Sequence, residues 1–284
     1  MSIVVTGATG SLGRLIVDHL IARGVDPAQI VAAGRTGSKL ADLTSAGVRT
    51  AVIDYSVPST LDAALDGADT LMLVSGSEVG QRVAQHGNAI AAAQAAGISR
   101  IVYTSAPRAD TSELILAPEH RATEELIRAS GIPFTILRNG WYTENYAGAL
   151  AQARETGVFL SSTGEGRIAS ASRTDYAEAA AVVLTTDGHD GATYELSGDV
   201  AWTGDDLAVA LAAVAGRDVV HTSVDPEAHA EILRGAGLDD GTVGFVVALD
   251  GNTRDGLLAE TTGDLSRLIG RPTTPLIDGL TAAA

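Results

Sequence analysis

The sequence contains no cysteine, one lysine and only 11 aromatic residues (3 Phe, 2 Trp and 6 Tyr) among 284. The absence of cysteine excludes disulfide bonds, thiolate metal sites and cysteine nucleophiles, and it is compatible with a reducing compartment. The longest apolar runs, such as VGFVVAL from Val243, are too short for a membrane-spanning helix. The N-terminal sequence MSIVVTGATG has no basic segment, so no signal peptide is expected. Together these absences predict a cytoplasmic protein without a membrane partner.

Positive charge is scarce as well. The chain has 19 Lys and Arg against 35 Asp and Glu, which gives a net charge of −16 and an isoelectric point near 4.6. An acidic surface repels phosphate backbones and anionic membranes, so nucleic-acid binding is not expected as a main function. The simplest role of this charge is solubility.

Short β-branched runs alternate with longer amphipathic segments through the first half of the chain. Leu12, Leu15, Ile16 and Leu20 show the spacing of a helix face. The apolar runs are nearly continuous, as in parallel strands that are covered on both faces. This pattern predicts an α/β fold, a Rossmann-like doubly wound parallel sheet. The candidate strands are residues 2–6, 30–33, 50–53, 70–74, 100–104 and 134–137.

The rhythm changes after Tyr146, which suggests two parts. We predict a dinucleotide-binding domain over residues 1–146 and a smaller, mostly helical lobe on the substrate side over residues 147–284. A helical pattern at 174–185 and the strand-like sequence TYELSG lie in the second part. Parts of the later chain are therefore able to return to the sheet.

The sequence IVVTGATGSLGRLIVDHL places Gly7, Gly10 and Gly13 between a predicted strand and a predicted helix. Such a loop turns tightly, lets pyrophosphate oxygens approach the backbone and packs the helix closely on the sheet, which residues with a bulky Cβ do not permit. The helix N-terminus then offers free N–H groups to the anion. The strand–loop–helix context predicts dinucleotide binding.

The end of the second predicted strand favours NADP(H) over NAD. NAD-binding proteins carry Asp or Glu there, whereas this chain has Arg35, followed by Thr36, Ser38 and Lys39. A guanidinium binds a 2′-phosphate through two N–H groups, while a carboxylate repels it. The alternative is a solvated loop cation.

Two further strand ends are expected at the cofactor. Asp54 and Tyr55 follow the third strand, near the adenine ring, and Ser75, Gly76 and Ser77 follow the fourth, beneath the nicotinamide ribose. The expectation rests on the rule that ligands bind beyond the carboxyl ends of parallel strands.

The catalytic dyad of many reductases with this sheet is missing. The region after the fifth strand contains no Tyr-x-x-x-Lys; His120 stands near the place of the lysine, and Leu116 near that of the tyrosine. Alcohol dehydrogenation by that dyad is therefore disfavoured. His120 remains a candidate hydrogen-bond partner of the substrate oxygen or of the ribose, with a partly exposed helix histidine as the alternative.

The motifs TGATGSLG, SEVGQRVAQHGNAI, YTSAPRADTS, LRNGWYTENY, GRIASASRTDYAEAAA and LSRLIGRPTTPL resemble the NmrA-like, atypical branch of short-chain dehydrogenases, of the NADPH-dependent quinone oxidoreductase type. The resemblance extends over essentially the whole chain. It implies a two-lobed Rossmann protein that transfers hydride from NADPH to a quinone without the tyrosine. It also implies that the NADP site is lined by Gly7, Ala8, Thr9, Gly10, Ser11, Leu12, Arg35, Ser75, Gly76, Ser77, Asn139, Gly140, Trp141, Tyr142, Thr143 and Glu144.

Aromatic residues concentrate in the stretch ILRNGWYTENY. Trp141 and Tyr142 are predicted to stack against a flat substrate, with core filling as the alternative, and Tyr146 is equally suited to either role. Ser170, in the Gly/Ser-rich passage, is a further candidate for substrate contact.

The remaining charged residues suggest simpler roles. His86 is expected on a polar helix face, and Glu124 and Arg128 are spaced as a solvated ion pair. No metal motif is present, so no metal is expected. Two functions stay open, an NADPH-dependent quinone reductase acting on small soluble quinones and a catalytically silent NADP(H)-binding redox sensor that docks a protein partner. A homodimer is compatible with either.

Overall fold

The computed structural model describes residues 2–284, which form two compact units. The first unit comprises residues 2–110, Leu116–Asn139 and Arg173–Glu195, and the second comprises Thr111–Ile115, Gly140–Ser172 and Leu196–Ala284. In this division Arg173–Glu195 groups with the N-terminal sheet, and the predicted boundary after Tyr146 stays a prediction.

Nine strands and twelve α-helices occur in the described part of the chain. The strands are β1 (Ile3–Val5), β2 (Ile30–Gly34), β3 (Arg49–Val52), β4 (Thr70–Leu73), β5 (Arg100–Ser105), β6 (Phe134–Asn139), β7 (Val158–Ser161), β8 (Thr193–Leu196) and β9 (Val220–Ser223). The helices are α1 (Ser11–Ala22), α2 (Ala41–Ser45), α3 (Pro58–Leu65), α4 (Arg82–Ala95), α5 (Ala117–Ala129), α6 (Ala147–Thr156), α7 (Arg173–Thr185), α8 (Gly204–Ala215), α9 (Pro226–Gly235), α10 (Asp240–Arg254), α11 (Asp264–Ile269) and α12 (Leu276–Ala282).

The main sheet has seven strands in the order β3-β2-β1-β4-β5-β6-β8, and its neighbouring pairs from β3 through β6 are parallel. The chain order reverses direction between β1 and β4, which is the switch point where ligands bind in doubly wound sheets. Strands β1, β2 and β4 are buried along their whole length because helices cover both faces. The predicted Rossmann-like fold is therefore confirmed.

The second unit is mostly helical. Its strands β7 and β9 form a separate parallel pair, with Phe159 opposite His221 and Ser161 opposite Ser223. Helix α8 packs against α6 and α12, and α9 packs against α10. A capping box between Thr203 and Asp206 fixes the start of α8. Among residues 2–284, no helix has the length and apolar character to cross a bilayer.

Candidate functional site

The glycine loop between β1 and α1 has a geometry that only glycine tolerates. Gly7 has a φ of +64°, in the left-handed region, and its carbonyl oxygen accepts the N–H of Gly10 at 2.9 Å. A Cβ at Gly13 would overlap the backbone of Gly7 and lie 2.9 Å from the nitrogen of Ala8. Helix α1 begins directly after the loop without a side-chain cap, so its first N–H groups are available to an anion.

A cavity of about 240 Å³ lies in the first unit beside this loop. Its walls come from the glycine loop and from the carboxyl ends of β2, β3 and β4. Nine predicted cofactor residues line it: Gly7, Thr9, Gly10, Arg35, Asp54, Tyr55, Ser75, Gly76 and Ser77. The cavity therefore joins four of the segments that the sequence assigned to the dinucleotide.

The other predicted residues of the first unit lie elsewhere. Ala8 is buried and donates its N–H to Ala33 O at 2.9 Å, and Lys39 is exposed in the 3-10 turn Gly37–Leu40. Ser11, Leu12 and Gly13 open helix α1 and are not among the lining residues of the cavity. Their cofactor contacts stay predictions.

Glu78 and Gln85 also line the cavity, and sequence reasoning missed both. The side chains of Glu78 and Arg35 form an ion pair, and Gln85 Nε2 donates to Glu78 Oε2 at 2.8 Å. Glu78 lies five residues after the end of β4, and this position near a strand end is the only feature of the sequence that indicated a place at the cavity. The guanidinium predicted to bind a 2′-phosphate thus already has a carboxylate partner.

The loop after β4 is anchored by buried polar groups. Ser75 N–H donates to Thr104 Oγ1 at 2.8 Å, Gly76 N–H donates to His86 Nε2 at 3.0 Å, and Arg82 Nε donates to Gly76 O at 2.9 Å. His86 is fully buried, so the expected polar surface position is wrong. Burial, with a smaller contribution from the Arg82 charge, lowers the pKa of His86 to about 3, which keeps its ring neutral and able to accept this bond.

His120 is buried rather than partly exposed. Its Nδ1 lies 2.8 Å from Tyr103 Oη, and burial, with the nearby charge of Arg82, lowers its pKa to about 3. The ring is therefore neutral at pH 7, and a charged imidazolium is not available there as a proton donor. A contact of neutral His120 with substrate stays a prediction.

The expected solvated pair of Glu124 and Arg128 is also corrected. Glu124 is 3% exposed, and its carboxylate accepts two bonds from Arg138, from Nε at 2.9 Å and from Nη2 at 2.7 Å. Ser105 Oγ donates to the same carboxylate at 2.7 Å. Arg128, four residues along the same helix, lies farther away, with 3.5 Å between its Nη2 and Glu124 Oε2. The main partner of Glu124 is thus Arg138 on strand β6, because a buried carboxylate needs a buried cation.

The aromatic stretch lies in the second unit beyond Asn139, which ends strand β6. Trp141 and Tyr142 are half-buried, and Tyr146 packs edge-to-face on Trp202 with ring centroids 5.1 Å apart. Tyr146 is therefore part of a packed aromatic cluster, whatever its role toward substrate.

Ser170 is buried in the same unit. Its hydroxyl accepts Trp202 Nε1–H at 3.1 Å and lies 2.9 Å from Thr143 Oγ1. The roles that the sequence gave to Asn139, Gly140, Trp141, Tyr142, Thr143, Glu144, Tyr146 and Ser170 stay predictions.

Comparison with known proteins supports dinucleotide binding. A family model described as NAD(P)H-binding matches residues 7–187. The chain belongs to the NmrA-like NAD(P)H-binding family. It is 44% identical to quinone oxidoreductase 2 of Escherichia coli over 98% of this chain and 97% of that protein.

Two solved structures extend this family comparison. The NADPH-dependent quinone oxidoreductase of Escherichia coli complexed with NADPH has a TM-score of 0.94 at 44% identity, covering 99% of each chain. The Citrobacter triphenylmethane reductase complexed with NADP(H) has a TM-score of 0.94 at 37% identity, covering 100% of each chain.

The residues of the first-unit cavity fit the cofactor of this NAD(P)H-binding family. Gly7 and Gly13 keep the loop free of side chains where a pyrophosphate would approach, and the uncapped start of α1 offers it N–H donors. Arg35 provides a cation at the end of β2, where a carboxylate would mark NAD. Across residues 2–284, no group of three or more His, Cys, Asp and Glu side chains is arranged to hold a metal ion.

Proposed function

We propose that this protein reduces quinones with NADPH by direct hydride transfer, without a Tyr-x-x-x-Lys dyad. The observation that carries the proposal is Arg35 on the wall of the glycine-loop cavity, at the carboxyl end of β2. It is supported by near-full-length similarity to an NADPH-dependent quinone oxidoreductase.

NADPH, when bound, supplies the hydride and its electron pair. The protein's own contribution is binding and orientation. The N–H groups of the loop from Gly7 to Gly10 and of the start of α1 hold the pyrophosphate, and Arg35 holds the 2′-phosphate. The segment from Ser75 to Ser77, fixed by Thr104, His86 and Arg82, positions the nicotinamide end.

A strong general acid is not needed for this reaction. Reduction of a quinone yields a phenolate-like oxygen, whose conjugate acid has a pKa on the order of that of tyrosine, ~10. Water is able to supply that proton, so the roughly 10²–10⁴-fold contribution of general acid catalysis matters less than for an aliphatic ketone. Quinone reduction is therefore compatible with a neutral His120 and with the absence of the Tyr-x-x-x-Lys dyad.

The direct test is NADPH oxidation in the presence of 1,4-benzoquinone, followed by loss of NADPH absorbance, with NADH as the matched control. We expect quinone-dependent oxidation of NADPH and much weaker oxidation of NADH. A protein that binds NADPH but leaves it unoxidised across a small quinone panel would contradict the proposal. That outcome would favour the redox-sensor function, in which binding alone carries the signal.

The aromatic stretch supplies a second test. We expect Trp141→Ala to keep NADPH affinity, measured by titration of cofactor fluorescence, and to lose at least tenfold in quinone turnover, because a stacking surface is removed. Trp141→Phe should retain most of the activity. If both variants turn over quinone like the parent, the ring is structural.

The assembly state and location are part of the proposal as well. A homodimer is testable by sedimentation velocity at two protein concentrations. A cytoplasmic location is compatible with the lack of cysteine, because disulfide bonds are typical of proteins in oxidising compartments.

A further inference from the structure

The second unit contains a cavity of about 230 Å³, separate from the glycine-loop cavity of the first unit and lined in part by Tyr146. Its walls are mainly apolar, from residues such as Phe159, Trp202 and Leu207, and Ser161 and Thr163 lie on its surface. An apolar cavity of about 150 Å³ already holds a benzene ring, so this one has room for a small ester.

Ser161, which lies on the cavity wall, is hydrogen-bonded to an imidazole, and that imidazole is hydrogen-bonded to a carboxylate. Its Oγ lies 2.9 Å from His221 Nε2, and His221 Nδ1 lies 2.8 Å from Asp205 Oδ1. The register of β7 and β9 produces the first contact, because Phe159 is opposite His221 and Ser161 follows two residues later on the same face. The second contact comes from the first turn of α8, which carries Asp205.

The imidazole of His221 is held in a single orientation. Phe159 stacks on it with centroids 5.2 Å apart and an interplanar angle of 24°. A side chain at Gly204 would overlap the ring, so the absence of a Cβ there makes room for it. The carboxylate of Asp205 accepts the Nδ1 proton, which leaves the Nε2 lone pair facing the serine hydroxyl. This is the tautomer that a general base needs.

We propose that Ser161, His221 and Asp205 form a nucleophilic triad that cleaves small esters in the second-unit cavity. Ser161 Oγ bonds to the acyl carbon while its proton passes to His221 Nε2. The bond from that carbon to the alcohol oxygen breaks, and the alcohol leaves with the proton from His221. Water then cleaves the acyl-serine bond, with His221 as base, and releases the carboxylic acid. No oxidation or reduction occurs.

The neighbouring serine provides a matched comparison within the chain. Ser162 Oγ lies 3.0 Å from His229 Nδ1, and Asp250 Oδ2 lies 3.1 Å from the same nitrogen and from the Ser162 oxygen. Serine and carboxylate therefore share one ring nitrogen, so this histidine does not connect them through its ring. Ser162 should be unreactive although its residue types repeat those of the triad.

The groups around Ser161 and His221 determine the expected rate of acyl-enzyme formation. The Thr163 hydroxyl, 2.9 Å from Ser161 Oγ, donates its proton to that oxygen while Ser161 donates to His221, so it has to rotate before it binds an acyl oxygen. Asp205 is 85% exposed, so its hydrogen bond to His221 is weakened by competing water. We therefore expect formation of an acyl-enzyme at a modest rate, with Asp205→Asn slowing it less than tenfold and His221→Asn by roughly 10²-fold or more.

The test uses the full chain without NADPH and 4-nitrophenyl acetate as the probe. Release of nitrophenolate is followed, and the protein is digested and analysed by mass spectrometry for an acetyl group on the Ser161 peptide. We expect acetyl-Ser161 in the parent and in Ser162→Ala, and none in Ser161→Ala. NADPH binding by the first unit and the melting curve verify that each variant is folded.

Absence of acetyl-Ser161 in the folded parent overturns the proposal without reference to any variant. Acetylation confined to other residues, or unchanged acetylation of Ser161 in His221→Asn, overturns it as well. Because the assay contains neither NADPH nor quinone, its outcome is independent of the proposed reductase activity.

Discussion

At the scale of single residues, we propose that Arg35 determines the preference of the cavity for NADPH over NADH. Its guanidinium is the cation on the cavity wall, and hydrogen bonds to charged groups contribute about 1.5–3 kcal/mol. We expect Arg35→Ala to raise the KM for NADPH by roughly 10- to 100-fold and to leave the KM for NADH nearly unchanged. Arg121→Ala, which removes an exposed cation on helix α5, should change neither value more than about twofold.

We infer that Glu78 opposes that selection, because its carboxylate forms an ion pair with Arg35. The pair is exposed, with side chains 61% and 42% accessible, and such pairs contribute about 0–1 kcal/mol. We expect Glu78→Gln to lower the dissociation constant of NADPH by roughly two- to fivefold, since the competing charge and its repulsion of phosphate are both removed. Titration in the Arg35→Ala background should show a smaller gain, because only the repulsion of phosphate is then removed. An equal gain there would show that Glu78 does not act through Arg35.

At the scale of elements, one buried ion pair links the sheet to helix α5. Arg138 on β6 binds Glu124 on α5, and its Nη1 also binds Asp110 and Glu195 at 2.8 Å each. Removing one partner of a buried pair costs roughly 3–5 kcal/mol when the remaining charge is uncompensated. Asp110 and Glu195 still pair with Arg138 here, so we expect about 1.5–3 kcal/mol, as for the loss of hydrogen bonds to a charged group.

Glu124→Ala should therefore lower the free energy of unfolding by about 1.5–3 kcal/mol, measured by urea denaturation monitored by circular dichroism. Glu125→Ala, one position along the same helix and exposed, is the matched control and should cost less than about 0.5 kcal/mol. Equal effects of the two substitutions would show that helix propensity, rather than the pair, is responsible.

At the scale of the whole molecule, two buried neutral histidines make stability depend on pH. The pKa values of His86 and His120 are lowered to about 3 in the folded state, against about 6.5 unfolded. Between these values the unfolded chain binds more protons than the folded one, so protons favour unfolding. Their contribution to stability is complete above pH 6.5 and is lost as the pH falls toward 3.

The melting temperature should accordingly decline from pH 6.5 downward, even before most carboxylates titrate. Differential scanning calorimetry at intervals between pH 7 and pH 5 measures this decline. His86→Asn, which keeps a polar group but does not titrate, should show a shallower decline than the parent, with a lower melting temperature at pH 7. A slope unaffected by the substitution would assign the pH dependence to other groups.

The sequence by itself determined the strands of the main sheet and the glycine loop. Both depend on local features, namely continuous apolar runs between helical patterns and residues without a Cβ at a tight turn. The same locality explains why Arg35, Asp54 and Ser75 were placed on one wall, since the carboxyl ends of parallel strands meet at one edge.

Only the tertiary structure decided which polar groups are buried and what they bind. Glu124 was assigned to Arg128 by helix spacing, but folding brings Arg138 closer. His86 has no local signal for the loop it supports. Likewise, Ser161 and His221 are 60 positions apart and meet through the register of a two-stranded sheet. Periodicity describes one element at a time, whereas burial and pairing arise between elements distant in the chain.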